Sequence, residues 1–198
     1  MRVKTLLVLV AVVLLSAAPM AFGQNLVTNG SFEDGGGSFN GWNETGNFEF
    51  SGVTTGAFYV YTGAEDGQFY GYFGPVSSPG GISQTISDTA GQQYVFSFYL
   101  AAVGDDPSSA SVMWNGTTLY SASDPNTGGN WQLFSFDVIG TGHDTISFNF
   151  QDDPAYIALD NVSVVASGGG SVPEPSSFLL MGSGVLGLAG LLRRKLIG

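Results

Sequence analysis

Tyr94-Val95-Phe96-Ser97-Phe98-Tyr99-Leu100 carries a large apolar side chain at every second position. In an extended chain, residues two apart share a face. Tyr94, Phe96, Phe98 and Leu100 therefore form one apolar surface, which a helix would scatter around its axis. The segment reads as a β-strand against a core, and the same period recurs on its C-terminal side. Phe134, Phe136 and Val138 share a face, and so do Ile146, Phe148 and Phe150, opposite Thr145, Ser147, Asn149 and Gln151. Further candidate strands are 47–51, 57–61, 68–73, 81–87, 110–115 and 156–165. Between them stand turn formers: Ser78-Pro79-Gly80-Gly81, Gly104-Asp105-Asp106-Pro107, Asn115-Gly116, Asp124-Pro125-Asn126 and Asp152-Asp153-Pro154. Asn115-Gly116 predicts a tight hairpin, since both residues tolerate positive φ. No helical period is convincing outside the chain ends. Short strands broken by regular turn signals predict an antiparallel β-sandwich.

The two ends differ from this middle. Arg2 and Lys4 precede an apolar run from Leu6 to Leu15, and Ala21-Phe22-Gly23 supplies small residues for cleavage. Residues 1–23 are read as a secretory signal peptide, too short in its apolar run for a membrane span. Residues 24–165 are the folded domain. Residues 166–172, rich in Gly and Ser, have nothing to bury and read as a tether. Residues 173–198 contain Pro173-Glu174-Pro175, an uncharged apolar run from Phe178 to Leu192, then Arg193-Arg194-Lys195. The two prolines hold the tripeptide extended. The apolar run is a single transmembrane segment, marginal in length, whose basic end stays cytoplasmic.

Charge excludes whole classes of partner. The net charge is −11, and all five Lys and Arg residues lie in the end segments. Of the sixteen Asp and Glu residues, all but Glu174 fall between Gln24 and Val172. Nucleic acid is excluded as a partner, because phosphate binding needs cations. The domain's carboxylates suit a divalent cation or solubility. With no cysteine, disulfides and thiol chemistry are unavailable.

Catalytic patterns are weak. His143, the one histidine, sits in the turn-like Gly140-Thr141-Gly142-His143-Asp144 and reads as exposed. No nucleophile elbow occurs. Glu65/Asp66 and Asp105/Asp106 lie in polar turns and read as solvated. The domain is expected not to be an enzyme.

The tail over 172–198 resembles the PEP-CTERM sorting signal of Gram-negative bacteria in all three of its parts. The resemblance implies recognition by exosortase, an integral-membrane enzyme, with Pro173, Glu174 and Pro175 as the sorting motif. It implies export across the inner membrane, membrane attachment through the C-terminal segment before processing, and a final place on the cell surface or in the extracellular matrix. Asn29-Gly30-Ser31-Phe32-Glu33, Gly41-Trp42, and the closing Leu159-Asp160-Asn161-Val162 follow an order similar to jelly-roll carbohydrate-binding modules and galactose-binding-like domains. That resemblance spans about residues 25–165. It implies a jelly-roll sandwich and a structural Ca²⁺ held between the first and last strands.

The residues offer a physical basis for such an ion. Asp160 shares strand parity with Val162 and Val164, so it is expected to point inward with them. A buried carboxylate needs a cation or backbone N–H donors, because the domain holds no Lys or Arg. Glu33 is the expected second carboxylate, with oxygen ligands near Asn29 completing the shell. For sugar stacking the candidates are Trp42, Tyr59, Tyr61, Tyr70, Tyr72 and Trp114, each equally readable as core. The expected function is a non-enzymatic surface or matrix protein binding extracellular polysaccharide. The alternative is a structural coat or adhesion protein that binds other proteins, and the third reading is a glycan hydrolase.

Overall fold

A computed structural model describes residues 23–153 and 155–167. The expected signal peptide (1–23), tether (166–172) and sorting segment (173–198) lie outside these residues, apart from Gly23, Ala166 and Ser167. The chain divides into two compact units, Met1–Ser167 and Gly168–Gly198. Among the described residues no helix is long and apolar enough to cross a membrane.

The described residues form ten strands: β1 (Asn43–Gly46), β2 (Ser51–Thr55), β3 (Phe69–Phe73), β4 (Gly80–Ser87), β5 (Gln93–Ala101), β6 (Ser108–Trp114), β7 (Thr117–Ser123), β8 (Gln132–Ile139), β9 (His143–Asp152) and β10 (Ile157–Ala166). They make two five-stranded sheets, ordered β1-β4-β9-β6-β7 and β2-β3-β10-β5-β8. Every pairing is antiparallel. This is the all-β two-sheet sandwich that the alternating segments predicted, consistent with the jelly-roll type that the resemblance implied.

The inner faces carry the alternating residues. Phe96, Phe98 and Leu100 of β5 and Ile146, Phe148 and Phe150 of β9 are fully buried between the sheets. Phe98 stacks on Phe134 with ring centroids 5.4 Å apart and meets Phe148 edge-on at 5.2 Å. Both are favoured aromatic geometries. All of this core lies within residues 23–167, so that segment folds as a unit.

Two candidate strands fail. Residues 47–50 are a turn between β1 and β2, with Phe50 at φ 56°. Residues 57–61 form no strand beyond one isolated bridge, Phe58 to Tyr61. The alternation of Tyr59 and Tyr61 is a loop feature that mimics strand periodicity. The Asn115-Gly116 hairpin forms as expected, with φ at 49° and 76°.

The N-G-x-F-E segment is turns rather than a strand, yet it lies along β10. Leu26 N–H donates to Val164 O, and Val162 N–H donates to Gly30 O, both at 2.9 Å. A Cβ on residue 30 would lie 2.0 Å from Val162 O. Only glycine permits that approach.

Candidate functional site

The sequence-based parity of Asp160 is wrong, for a local reason. β10 pairs with β5 in regular register up to Asp160–Tyr99 and resumes at Ser163–Ser97, with one extra residue between. Asn161 absorbs it at φ 47°. A β-bulge of this kind inverts the facing of every residue beyond it. Ile157 and Leu159 before the bulge, and Val162 and Val164 after it, all face the core. Asp160 and Ala158 face the opposite side of the sheet.

That opposite side is covered by a strap, residues 56–68, which joins β2 to β3. Under it lies a second apolar cluster of Tyr61, Tyr70, Ala101 and Ala158, flanked by Phe58, Ala64, Trp131 and Tyr156. Strand parity places them there. Tyr70 on β3, Ala101 on β5 and Ala158 on β10 point away from the main core, and Trp131 extends the outer set of β8. The strap is tied at several points. Tyr61 donates its hydroxyl to Tyr156 O. Trp131 Nε1 donates to Gly63 O at 2.9 Å, and Tyr70 donates to Gly56 O at 3.1 Å.

Carboxylates fasten the far end of the strap. Asp160 is fully buried. Its Oδ2 accepts the amides of Glu65 (2.7 Å) and Asp66 (3.0 Å), and its Oδ1 accepts that of Asn161 (2.7 Å). Glu33 Oε1 accepts the amides of Gln68 (2.6 Å) and Phe69 (2.7 Å). Burial raises the Asp160 carboxyl to about 7, against the pull of those three amides. Asn29 is engaged elsewhere. Its Nδ2 donates to Ser38 O and Asn40 O, while its backbone carbonyl accepts from Trp42 Nε1 at 3.0 Å. Among the described residues no three His, Cys, Asp or Glu side chains converge as a metal cage. Glu33 and Asp160 thus meet the same strap, and Asn29 does not join them.

The six aromatic candidates separate cleanly. Trp42 and Trp114 belong to the core between the sheets, where a sugar cannot reach them. Trp114 Nε1 is buried without a hydrogen-bond partner. Tyr61 and Tyr70 are buried under the strap. Tyr59 is 52% exposed, and Tyr72 is half-buried. Two residues that the sequence reading did not offer for sugar contact, Asp105 and Tyr156, complete the group. The Tyr59 hydroxyl donates to Asp105 Oδ2 at 3.0 Å. The Tyr156 ring lies 5.8 Å from that of Tyr59 and 5.5 Å from that of Tyr72. The parity of Tyr156 with Ala158 before the bulge was the available signal. The result is an aromatic strip, exposed at Tyr59 and half-buried at Tyr72 and Tyr156, with a carboxylate at one end. Asp152 lies buried nearby, its carboxyl raised to about 6 by burial and by the surrounding Asp105, Asp153 and Asp124.

Among the described residues a further carboxyl pair, Asp88 and Asp144, lies near the Asn115-Gly116 turn. Asp144 is fully buried and accepts from Thr141 N–H, the Thr141 hydroxyl and Asn115 Nδ2. Asp88 Oδ1 accepts Gly142 N–H at 2.5 Å, while its Oδ2 is buried with no donor. A proton on Asp88 shared with Asp144 resolves that orphan. Burial and Asp144 accordingly push Asp88 up. Hydrogen bonds hold Asp144 down against its own burial. The pair closes turns at Thr141-Gly142 and Asn115. His143 is exposed, as its turn-like context implied.

Comparisons with known proteins agree with both parts of the chain. Residues 171–195 match the PEP-CTERM protein-sorting motif. No curated protein sequence matches the chain significantly. Among solved structures, TmCBM61 in complex with β-1,4-galactotriose is similar at TM-score 0.58 and 17% identity, over 73% of this chain and 99% of that one. The CBM22-1 xylan-binding domain of Paenibacillus barcinonensis Xyn10C gives TM-score 0.51 and 18% identity, over 78% of this chain and 100% of that one. The K1 cleaved adhesin domain of Lys-gingipain from Porphyromonas gingivalis W83 gives TM-score 0.53 and 16% identity, over 70% and 96%. The chain therefore carries a C-terminal PEP-CTERM motif and an all-β domain resembling known carbohydrate-binding modules.

Proposed function

We propose that this chain is an exported, non-catalytic surface or matrix protein of a Gram-negative bacterium. Its PEP-CTERM motif directs it to exosortase at the inner membrane, and its sandwich binds extracellular polysaccharide. The observation that carries the binding reading is the exposed Tyr59 ring beside Asp105, continued by Tyr156 and Tyr72. Such rings accept the C–H face of a sugar, and the carboxylate accepts its hydroxyls. With no Lys or Arg between Gln24 and Val172, the ligand is an uncharged glycan rather than a uronate or sulfated one. The likeness to modules solved as galactotriose and xylan binders supports the same class.

Ca²⁺ belongs to this proposal as a structural ion at the Glu33–Asp160 end of the strap. Those residues would hold it, sharing their carboxylates with the strap amides, and Asn29 would shape the adjoining turn. The bound ion would supply positive charge to carboxylates that have no other counter-charge.

Binding to a panel of neutral and anionic polysaccharides, read by affinity electrophoresis, tests the glycan reading. Retention by a neutral glycan should weaken about tenfold in Tyr59→Ala, a loss of about 1.4 kcal/mol, with Tm unchanged. Retention by anionic glycans alone, or equal retention of wild type and variant, would overturn it. An adhesin role is the second reading, favoured by the likeness to the K1 adhesin domain and by exposed Phe50 and Val60.

A further inference from the structure

The four sheet edges are not alike. β1 has four residues and β2 has five, with Gly46 and Gly52 within them. β7 carries an irregular register against β6, between Val112 and Met113. Short strands and bulges are the ordinary ways to stop a sheet from extending. β8 has none of these. It runs eight residues, Gln132 to Ile139, in unbroken register with β5. It contains no Pro, Gly, Lys or Arg. On its outer face Leu133 is 52% and Ile139 60% exposed. On its inner face Phe134 and Phe136 remain only half-buried at the open side.

We propose that β8 is an association edge, and that its partner is β8 of a second copy of this chain. The argument is the self-complementarity of its register. Two antiparallel copies related by a two-fold axis through Phe136 pair residues whose numbers are symmetric about 136. Leu133 then stands opposite Ile139 of the second copy, so the two exposed aliphatic residues cover each other. Phe134 meets Val138, and Phe136 meets its own equivalent. Asp137, the one charge on the strand, faces Ser135 rather than another carboxylate. Directly opposite side chains of this kind stabilise a sheet pair, whereas like charges there would oppose it. An axis through residue 135 places Leu133 against Asp137 and Ile139 against Trp131 instead, so the two exposed aliphatic residues no longer cover each other.

The union makes one ten-stranded sheet from two copies. Because the axis is normal to the sheet, the aromatic strips of both copies face the same side. Two strips on one face engage one polymer with an avidity that neither has alone. The domain's fifteen carboxylates, with no Lys or Arg among them, oppose association, so the dimer strengthens with salt.

The chain has no cysteine, so introduced thiols report register directly. Residues 133 and 139 of one strand are about 20 Å apart, beyond the reach of a disulfide. For residues 24–167, a mixture of the single variants Leu133→Cys and Ile139→Cys should give an oxidised dimer. Each variant alone should give almost none. Sedimentation of the wild type should show dimer increasing with concentration, more so in about 1 M salt, where screening acts over about 3 Å. The variant L133K/I139K should remain monomeric with unchanged Tm, since both sites are exposed. A wild type that stays monomeric in high salt would overturn the proposal. So would single variants that cross-link as readily as the mixture. Neither result touches glycan binding by the monomer.

Discussion

Raising the pH from 5 to 8 should destabilise this domain, opposite to the usual expectation for an acidic protein leaving its acid limit. Two buried carboxyls dictate the direction. Asp160 is raised to about 7 and Asp152 to about 6, each mainly by burial, from an ordinary 3.8. A group whose pKa is higher folded than unfolded favours the folded state while it is protonated in both. That contribution is lost as pH climbs from the unfolded value through the folded one. For Asp160 the window runs from about 4 to 7, and for Asp152 from about 4 to 6. At 1.36 kcal/mol per unit, the loss between pH 5 and pH 8 is about 2.5 kcal/mol from Asp160 and about 1.4 from Asp152, roughly 4 in all. Asp88, also raised, acts in the same direction. Asp144 is lowered, so its contribution is lost only at still lower pH.

Urea denaturation of residues 24–167 reads this directly, with the core residues Trp42 and Trp114 as fluorophores. In EDTA the unfolding free energy should fall by about 4 kcal/mol between the two pH values, and Asp160→Asn should cut that fall to about 1.4. Asparagine keeps an acceptor oxygen for the Glu65 and Asp66 amides, so this variant should still fold. Calcium makes a second arm. An ion on Asp160 favours the carboxylate and lowers its pKa, so excess Ca²⁺ should flatten the profile and raise Tm at pH 8 in the wild type alone. A profile flat in EDTA, or unchanged by Asp160→Asn, would refute the burial argument. Identical profiles in Ca²⁺ and EDTA would refute the ion.

Two further outcomes are expected. Phe148→Ala should cost about 3–5 kcal/mol in the same assay, because the ring touches Phe96, Phe98, Phe150 and Trp42 and the cavity cannot close. Replacing Pro173-Glu174-Pro175 by three alanines should leave the precursor unprocessed in a host with exosortase. An immunoblot of membrane and medium fractions measures this.

The legibility of the fold and the obscurity of the site have one physical origin. Alternation is a local property, so Phe96/Phe98, Phe134/Phe136 and Phe148/Phe150 could be assigned a face without knowing their partners. The same rule, applied across Asn161, failed because a bulge leaves no mark on hydrophobic order. Asp160 between Leu159 and Val162 looks like any inward residue until the extra residue is located. Gly30 had a visible place in the N-G-x-F-E segment, but its reason, the carbonyl of Val162 against it, is set by chain far away in sequence. The aromatic candidates were divided on the same ground. Tyr59 and Tyr61 share parity, yet in a strap parity does not fix exposure, and Tyr61 turns under while Tyr59 stays out.

The bulge also explains why this face has a strap at all. With regular register and Val162 and Val164 kept inward, Asp160 would enter the main core beside them and drive Leu159 out of it. Turned outward, it is reached by the amides of Glu65 and Asp66, which cap it only if residues 56–68 cross the sheet. That crossing buries Tyr61 and Tyr70 and leaves Tyr59, Tyr72 and Tyr156 at its margin. The aromatic strip is therefore a consequence of how one carboxylate is satisfied. Any change that straightens β10 should release the strap and rearrange the strip with it, while β5 keeps its register with β8, and β9 its register with β4 and β6.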